Sequence, residues 1–416
     1  MAKRKQTLST EPYKGVRDFY PEDMATEKRL FSVMRRAAES FGYEEYGASI
    51  LEPTELYASK TSDEIVNEQT YTFVDRGDRS VTLRPEMTPT LARMVAAKRR
   101  ELGFPLRWYS IPNVFRYERP QRGRLREHWQ LNCDLFGISG IDAEVEIITL
   151  AHRIMLDFGA STGDFFIRIG SRSAIRNMLE RKGIGEDNTK SFFRFLDQRN
   201  KMAAEEFEQG LGQFKLSLAD FSSAEGQGED VYSVVQGLEA RGISNVLIDL
   251  SIVRGFDYYT GIVFEIFDAN PENKRSLFGG GRYDNLLAVF GEEPIPAVGF
   301  GMGDVTIRDF LETRGLLPGY RSTTDLYICA ADDAGAQYGA ELAEKLRAEG
   351  LNIVVDTTGR SLGDQKKTAV KQSIPFVAYL RERDRSTGVV PIEGTDGSEQ
   401  SLPINKLAEF LHAKRA

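Results

Sequence analysis

Five arginines, Arg116, Arg119, Arg122, Arg124 and Arg126, fall between Phe115 and His128 with only Glu118 and Glu127 against them, a local net charge of +3. A guanidinium presents a planar fork of donors that engages two phosphate or carboxylate oxygens at once, so arginines clustered in this way suit an anion. The residues that follow, Glu127-His-Trp-Gln-Leu-Asn-Cys-Asp-Leu135, alternate in character. Strand side chains point to opposite faces in turn, which puts His128, Gln130, Asn132 and Asp134 on one face and Trp129, Leu131, Cys133 and Leu135 on the other. The apolar face can pack on helices, and the polar face is left to line something. Arg116 and Glu118 share a face in the same sense, ahead of a loop holding Pro120 and Gly123. Taken alone, the segment reads either as an anion site or as a solvated hairpin with a charged tip.

Two further segments offer chemistry. Val81-Thr-Leu-Arg-Pro-Glu-Met-Thr88 reads as a strand running into a helix at 89–100. Glu86 and Thr88 then sit at the junction, where side chains reach a ligand or, for Thr88, cap the helix. Val253-Arg-Gly-Phe-Asp-Tyr-Tyr-Thr-Gly-Ile-Val-Phe-Glu265 is a glycine-punctuated strand with one cation, Arg254, and two phenols, Tyr258 and Tyr259. Aromatic residues in strands are usually core, so periodicity by itself leaves the tyrosines as packing. Gly279-Gly-Gly-Arg-Tyr-Asp284 and Gly299-Phe-Gly-Met-Gly303 bring the backbone close to something. The second lacks the spacing and third glycine of a dinucleotide fingerprint, and no Gly-x-x-x-x-Gly-Lys-Ser/Thr phosphate loop occurs.

The elements that must position these residues follow from periodicity. Leu30, Phe31, Met34, Ala37, Ala38 and Phe41 recur at helical spacing over 24–41, with Gly42 as a stop, and a second helix is expected over 143–158. Residues 105–137 read as strands around a loop. Residues 173–242, more polar and helical, read as an inserted subdomain with a Gly/Ser/Glu-rich stretch near 222–230, and 247–305 returns to strand-like sequence. A boundary is expected at 316–324. Beyond it the apolar runs Leu326 to Ala330, Ile353 to Val355 and Pro375 to Leu380 alternate with helical segments, as in a small α/β domain.

A length of 416 residues fits two or three domains, and 41% hydrophobic residues are ordinary for a globular protein. The balance of 54 basic against 62 acidic residues, net −8, excludes a generic basic nucleic-acid binder but not a local basic patch. Cys133 and Cys329 are too few for a disulfide framework or a four-thiolate zinc site, and His128, His152 and His412 form no metal-binding pair. No apolar stretch follows the basic start and none reaches 18 residues, so neither a secretory signal nor a membrane span is expected, and the cytoplasm is the expected compartment.

The residues quoted above match a known pattern. Phe115-Arg-Tyr-Glu-Arg-Pro-Gln-Arg-Gly-Arg124 resembles motif 2 of the class II aminoacyl-tRNA synthetases. With Lys14-Gly-Val-Arg-Asp18, Leu83-Arg-Pro-Glu86, Gly280-Gly-Arg-Tyr-Asp284 and above all Arg254-Gly-Phe-Asp-Tyr-Tyr-Thr-Gly261, nearly the whole chain is similar to the histidyl-tRNA synthetase family. The resemblance implies an α+β fold: an antiparallel sheet flanked by helices in a catalytic domain over 1–320, a helical insertion at about 173–242, and an α/β anticodon-binding domain over 322–416. It implies a homodimer using ATP with Mg2+, acting on L-histidine and its tRNA. By position it implies Arg116 on the α-phosphate, Glu118 near the adenine and Arg124 among the ATP-binding residues. Glu86, Thr88 and Gln130 would bind the amino group of histidine, with Met87 and Arg116 also among the histidine-binding residues, Asp134 and Tyr259 would bracket the imidazole beside Tyr258, and Arg254 would contact the substrate carboxylate and α-phosphate. No protein metal ligand is implied.

Two positions depart from the family pattern. Thr306 stands where motif 3 normally carries an arginine for the γ-phosphate, with Arg308 as the expected substitute and Arg282 or a motif 2 arginine as alternatives. Ser49 stands where motif 1 usually carries a proline. Rival readings are the synthetase-like regulatory subunit of histidine biosynthesis, which generally lacks the tail and the Arg-Gly-x-Asp-Tyr-Tyr element, and a synthetase for another amino acid, which would not share Asp134 with Tyr258 and Tyr259.

Overall fold

Alternating apolar residues and glycines build the strands that organise the first three hundred residues. In chain order these are β1 (Glu44–Glu45), β2 (Leu51–Pro53), β3 (Tyr71–Val74), β4 (Ser80–Leu83), β5 (Leu106–Ser110), β6 (Asn113–Phe115), β7 (Glu127–Phe136), β8 (Phe165–Ser171), β9 (Val246–Ile248), β10 (Ile262–Asp268), β11 (Ser276–Arg282) and β12 (Ala297–Gly303). The structure is a computed structural model that describes residues 8–58, 69–199, 202–222, 228–254, 258–273, 275–317, 319–395 and 397–415. Gly255, Phe256 and Asp257 of the Arg254–Gly261 element lie outside the described residues, as do the basic start at 1–7, most of the Gly/Ser/Glu-rich stretch and Pro318 of the expected boundary.

The large sheet runs β1-β5-β7-β12-β11-β10-β8-β9, with β6 beside β7. Its pairings are antiparallel except at the two ends, where β1 pairs with β5 and β8 with β9 in parallel. A second, three-stranded antiparallel sheet has the order β2-β4-β3.

One face of the large sheet is apolar and covered by helices. Leu131, Cys133 and Leu135 of β7 and Val298, Phe300 and Met302 of β12 are buried there. Against them pack Leu30, Met34, Ala37 and Ala38 from the helix Pro21–Ser40, Ile147, Ile148, Ala151 and Met155 from Asp142–Asp157, and Ile307, Phe310 and Leu311 from Asp304–Thr313. Three-to-four residue spacing places each set on one stripe, and each Leu, Ile, Met or Phe side chain among them contributes about 1.5–3 kcal/mol by leaving water. The opposite face of β7 and β12 carries the polar residues and glycines.

The helices Arg172–Arg181, Glu186–Asp197 and Ala204–Gln213 share a core of their own, built from Ile175, Leu179, Phe192, Leu196, Phe207 and Leu211 and closed by Val253. The helix Glu229–Glu239 instead buries Val231, Val234 and Leu238 in the main core.

The described residues divide into two units, within 1–317 and 318–416. In the second, β13 (Leu326–Ala330), β14 (Ile353–Val355), β15 (Phe376–Leu380), β16 (Val389–Gly394) and β17 (Glu399–Pro403) form a sheet of order β14-β13-β15-β16-β17. The first three strands are parallel, and β16 and β17 extend the sheet antiparallel. Asp332 and Ser361 cap the crossover helices Asp333–Ala348 and Leu362–Lys371 by accepting from Gly335 N at 2.6 Å and Asp364 N at 3.3 Å. A closing helix, Ile404–Arg415, buries Leu407 and Leu411 in this unit's own core. No helix among the described residues is long and apolar enough to cross a membrane.

Candidate active site

The two glycine runs are the floor of a recess. In register, Gly299, Gly301 and Gly303 of β12 lie beside Asp134, Asn132 and Gln130 of β7. A Cβ on Gly299 would overlap Asp134 Oδ1, and one on Gly301 would come within 2.9 Å of Gln130 Cδ. Across the next pairing, a Cβ on Gly279 of β11 would sit 2.5 Å from Arg254 Nη1, and one on Gly281 would sit 2.9 Å from Tyr259 Cδ1. The backbone is bare because side chains from the neighbouring segments lie across it.

Over this floor Gln130, Asn132 and Asp134 meet Glu86 and Thr88, and Arg116 and Arg254 meet Tyr258 and Tyr259, around about 360 Å³ of open space. Thr88 reaches the recess because it lies in the first turn of the helix Thr88–Lys98; the cap position is Met87, so Thr88 does not cap this helix. Met87 itself is fully buried and lines no recess of the site.

Asp134 is 2% exposed and accepts a hydrogen bond on Oδ1 from the Tyr283 hydroxyl, while its Oδ2 has no partner among the described residues. Burial pushes its carboxyl up to about 7, with the Tyr283 hydroxyl pulling the other way. Tyr258 donates to Glu86 Oε2 at 3.0 Å, and its ring lies 4.9 Å from that of Tyr259 and 5.8 Å from that of Tyr283. Burial, reinforced by the Glu86 carboxylate, holds the Tyr258 phenol well above its ordinary value, so it acts as a neutral donor. Tyr283 is the member of this group that sequence reasoning leaves out. Its motif is visible, but its partner stands on a strand far away in the chain.

Arg254 adopts a φ of 53°, in the left-handed region that non-glycine residues rarely occupy. Arg172 braces this turn by donating to Val253 O at 3.0 Å and Arg254 O at 3.4 Å, and its guanidinium lies 4.2 Å over Phe193 of the neighbouring helical core. Arg254 Nη1 donates to Glu265 Oε1 at 3.1 Å. Arg116 is anchored from the other side, its Nε donating to Pro85 O at 2.9 Å. Arg84 ties the same segments together through Asn113 O and Ala48 O at 2.8 and 2.9 Å.

A second recess, with about 800 Å³ of open space, continues from the first. Glu118, Arg124, His128, Glu265 and Thr306 line it, and Arg116, Gln130, Arg254 and Gly301 line both. Arg124 Nη1 pairs with Glu118 Oε2 at 3.3 Å. Burial, with Arg116 and Arg17 adding to it, lowers the His128 imidazole to about 3, so it is neutral and the arginines supply the positive charge here. Not every motif 2 arginine turns inward: Arg126 lies 4.0 Å over Tyr117 and donates to Tyr13 OH at 3.0 Å.

Arg308, the expected substitute for the motif 3 arginine, has its Nη2 held by Asp23 Oδ1 at 2.8 Å and does not line either of these two recesses. Arg282 is likewise engaged elsewhere, donating to both carboxylate oxygens of Glu144 at 2.5 and 2.6 Å. Thr306 remains at the second recess with its hydroxyl turned to Leu277 O at 2.7 Å.

Two family profiles match the chain: one described as Histidyl-tRNA synthetase over residues 15–305, and one described as Anticodon binding domain over residues 325–414. The curated Histidine--tRNA ligase of Leptospira biflexa is 42% identical over 98% of this chain and 99% of its own length. That of Thermoplasma volcanium is 37% identical over 97% of this chain and 99% of its own length. Among solved structures, the histidyl-tRNA synthetase from Nostoc sp. PCC 7120 superposes with a TM-score of 0.77 at 22% identity, covering 98% of this chain and 100% of that one, a likeness of fold.

Proposed function

The chain belongs to the histidyl-tRNA synthetase family, and we propose that Arg116 and Arg254 are its catalytic residues. The enzyme is a histidine–tRNA ligase: it activates L-histidine with ATP to histidyl-adenylate and pyrophosphate, then transfers the histidyl group to the 3′ end of its tRNA. One observation carries the assignment of residues, namely that Arg116 and Arg254 line both recesses. With histidine in the first and ATP in the second, the substrate carboxylate meets the α-phosphorus between these two cations.

The chemistry asks little of the protein in proton transfer. The carboxylate of histidine is already ionised at neutral pH, so no general base is required. Its oxygen attacks the α-phosphorus, the bond to the bridging oxygen of the β-phosphate breaks, and pyrophosphate leaves with the electron pair. Positioning and positive charge where negative charge accumulates supply the rate. Glu86, with Thr88 and Gln130, receives the α-ammonium group. Asp134 and Tyr259 receive the imidazole beside Tyr258, and Glu118 and Arg124 hold the nucleotide. An amino acid without the ring nitrogens leaves the buried Asp134 Oδ2 without a hydrogen-bond partner, which discriminates by roughly 10⁴ or more.

Mg2+ is proposed to arrive with ATP. Among the described residues no three His, Cys, Asp or Glu groups converge into a metal cage, and Mg2+ typically binds through phosphates with only one or two carboxylates. Glu265, a carboxylate at the second recess beside Arg254, would hold the ion there together with the phosphates. When bound, the ion neutralises phosphate charge. A homodimer is proposed on the exposed Leu51, Phe73 and Val74 of the small sheet, which a second copy would cover; light scattering at twice the chain mass is the expected result. The cytoplasm is the proposed compartment, in keeping with two free, buried cysteines.

Assaying ATP–pyrophosphate exchange with each amino acid in turn tests the whole reading. Exchange dependent on histidine alone is expected. Silence with every amino acid would favour the regulatory paralogue, and exchange with a different one would move the specificity.

A further inference from the structure

A third recess adjoins the nucleotide recess, and Gly123, Ser276, Leu277 and Thr306 line both. Gly123 and Thr306 face each other where the two recesses meet: a Cβ on Gly123 would come into van der Waals contact with Thr306 Cγ2, at 3.7 Å, so the bare glycine leaves this junction wider than a larger residue would. The cations around these recesses are mostly matched by a carboxylate: Arg124 by Glu118 at 3.3 Å, Arg254 by Glu265 at 3.1 Å and Arg122 by Asp309 at 3.0 Å.

Arg275, on the wall of the third recess, is different. Its Nη1 donates to Arg122 O at 3.0 Å and its Nη2 to Gln121 Oε1 at 3.1 Å. Both acceptors are neutral, and among the described residues no carboxylate pairs with it. The side chain is exposed, so neutral acceptors cost little to give up, and an anion offering two oxygens to the guanidinium fork replaces them with charge-assisted bonds.

We propose that Arg275 binds the β- and γ-phosphates of ATP and holds the departing pyrophosphate. This rests on the reading that the second recess takes the nucleotide. The order along the floor is then histidine recess, Arg116 and Arg254, nucleotide recess, Arg275, so the leaving group has a cation of its own at the end away from the attacking carboxylate. As the bond from the α-phosphorus to the bridging oxygen breaks, its electron pair and charge move onto pyrophosphate, toward Arg275, with no proton transferred.

The test uses the full-length enzyme and three variants, Arg275→Ala, Arg275→Lys and Gln121→Ala. KM values are measured for ATP and histidine in exchange and for pyrophosphate in the reverse reaction, with AMP inhibition alongside. Arg275→Ala is expected to raise KM for ATP and pyrophosphate about ten- to hundredfold while KM for histidine and AMP inhibition stay within about threefold. Arg275→Lys should recover much of the loss, and Gln121→Ala should behave as wild type. Unchanged KM for ATP and pyrophosphate in Arg275→Ala would overturn the proposal. So would equal weakening of AMP and ATP, or a Gln121→Ala variant that copies Arg275→Ala, since either would reduce Arg275 to a strut for the loop. An unmodified enzyme without histidine-dependent exchange would overturn the wider reading instead.

Discussion

Asp134 concentrates the conflict between stability and recognition in one side chain. Its carboxyl is buried, bonded once to Tyr283, and pushed from an ordinary 3.8 up to about 7. Below pH 3.8 the folded and unfolded chains both carry the proton. Between 3.8 and about 7 the unfolded chain has ionised and the folded one has not, so the stability associated with the protonated group drains away as pH rises, and the loss levels off above about 7. Asp134→Asn removes this slope. In the absence of histidine, the melting temperature of the variant should therefore gain on the wild type between pH 5 and pH 8; a constant gap would mean that Asp134 ionises as in water. The same residue supplies recognition, because an imidazole N–H offers the partner that Oδ2 lacks. Asp134→Ala should raise KM for histidine about a hundredfold, and KM for ATP by less than about threefold. Equal increases would remove Asp134 from the imidazole.

At the scale of elements, β11 and β12 owe their sequence to what crosses them. Gly299→Ala places a methyl on Asp134 Oδ1, inside a sheet whose backbone cannot retreat, so KM for histidine should rise by more than about tenfold with a loss of about 1–3 kcal/mol in stability. Gly47→Ala, where nothing lies within 4 Å, is the matched control and should change neither, as kinetics and urea unfolding will report. Much of this architecture is legible in local pattern. Alternation over 127–135 assigns both faces of β7, and the expected helices at 24–41 and 143–158 are found at Pro21–Ser40 and Asp142–Asp157. What local pattern does not carry is register. That Gly299 lies opposite Asp134, and that Tyr283 reaches it, depends on pairing between strands more than 140 residues apart in the chain, as does the reason for the glycines. In the tail, Pro391 and short polar runs hide β16 and β17, whose pairing is set by their neighbours. Met87 shows the same limit for side chains: it is adjacent to Glu86 and Thr88 in sequence, yet its side chain is turned into the core where the helix starts.

At the scale of the whole molecule, charge and cores are both distributed by unit. The net of −8 coexists with arginines gathered at two adjoining recesses. The residues from 321 onward carry 13 basic against 14 acidic side chains, so this unit has little general attraction for a polyanion. Any contribution it makes to tRNA binding must come from placed groups, and its match to an anticodon-binding profile over 325–414 is of that kind. Its core, from Leu326 and Ile328 to Leu407 and Leu411, is built from its own residues, and the three recesses described above are lined, among the described residues, by residues before 318. Activation and tRNA selection should therefore separate on truncation. A chain ending at Tyr320 is expected to keep histidine-dependent exchange within about threefold of the full enzyme while charging of tRNA falls about a hundredfold or more, a loss of about 2.7 kcal/mol in tRNA interaction. Residues 322–416 alone should show their own cooperative melt by circular dichroism. Exchange that disappears with the tail would mean that the first unit does not hold its arginines in place unaided, and charging that survives would place tRNA selection before residue 318.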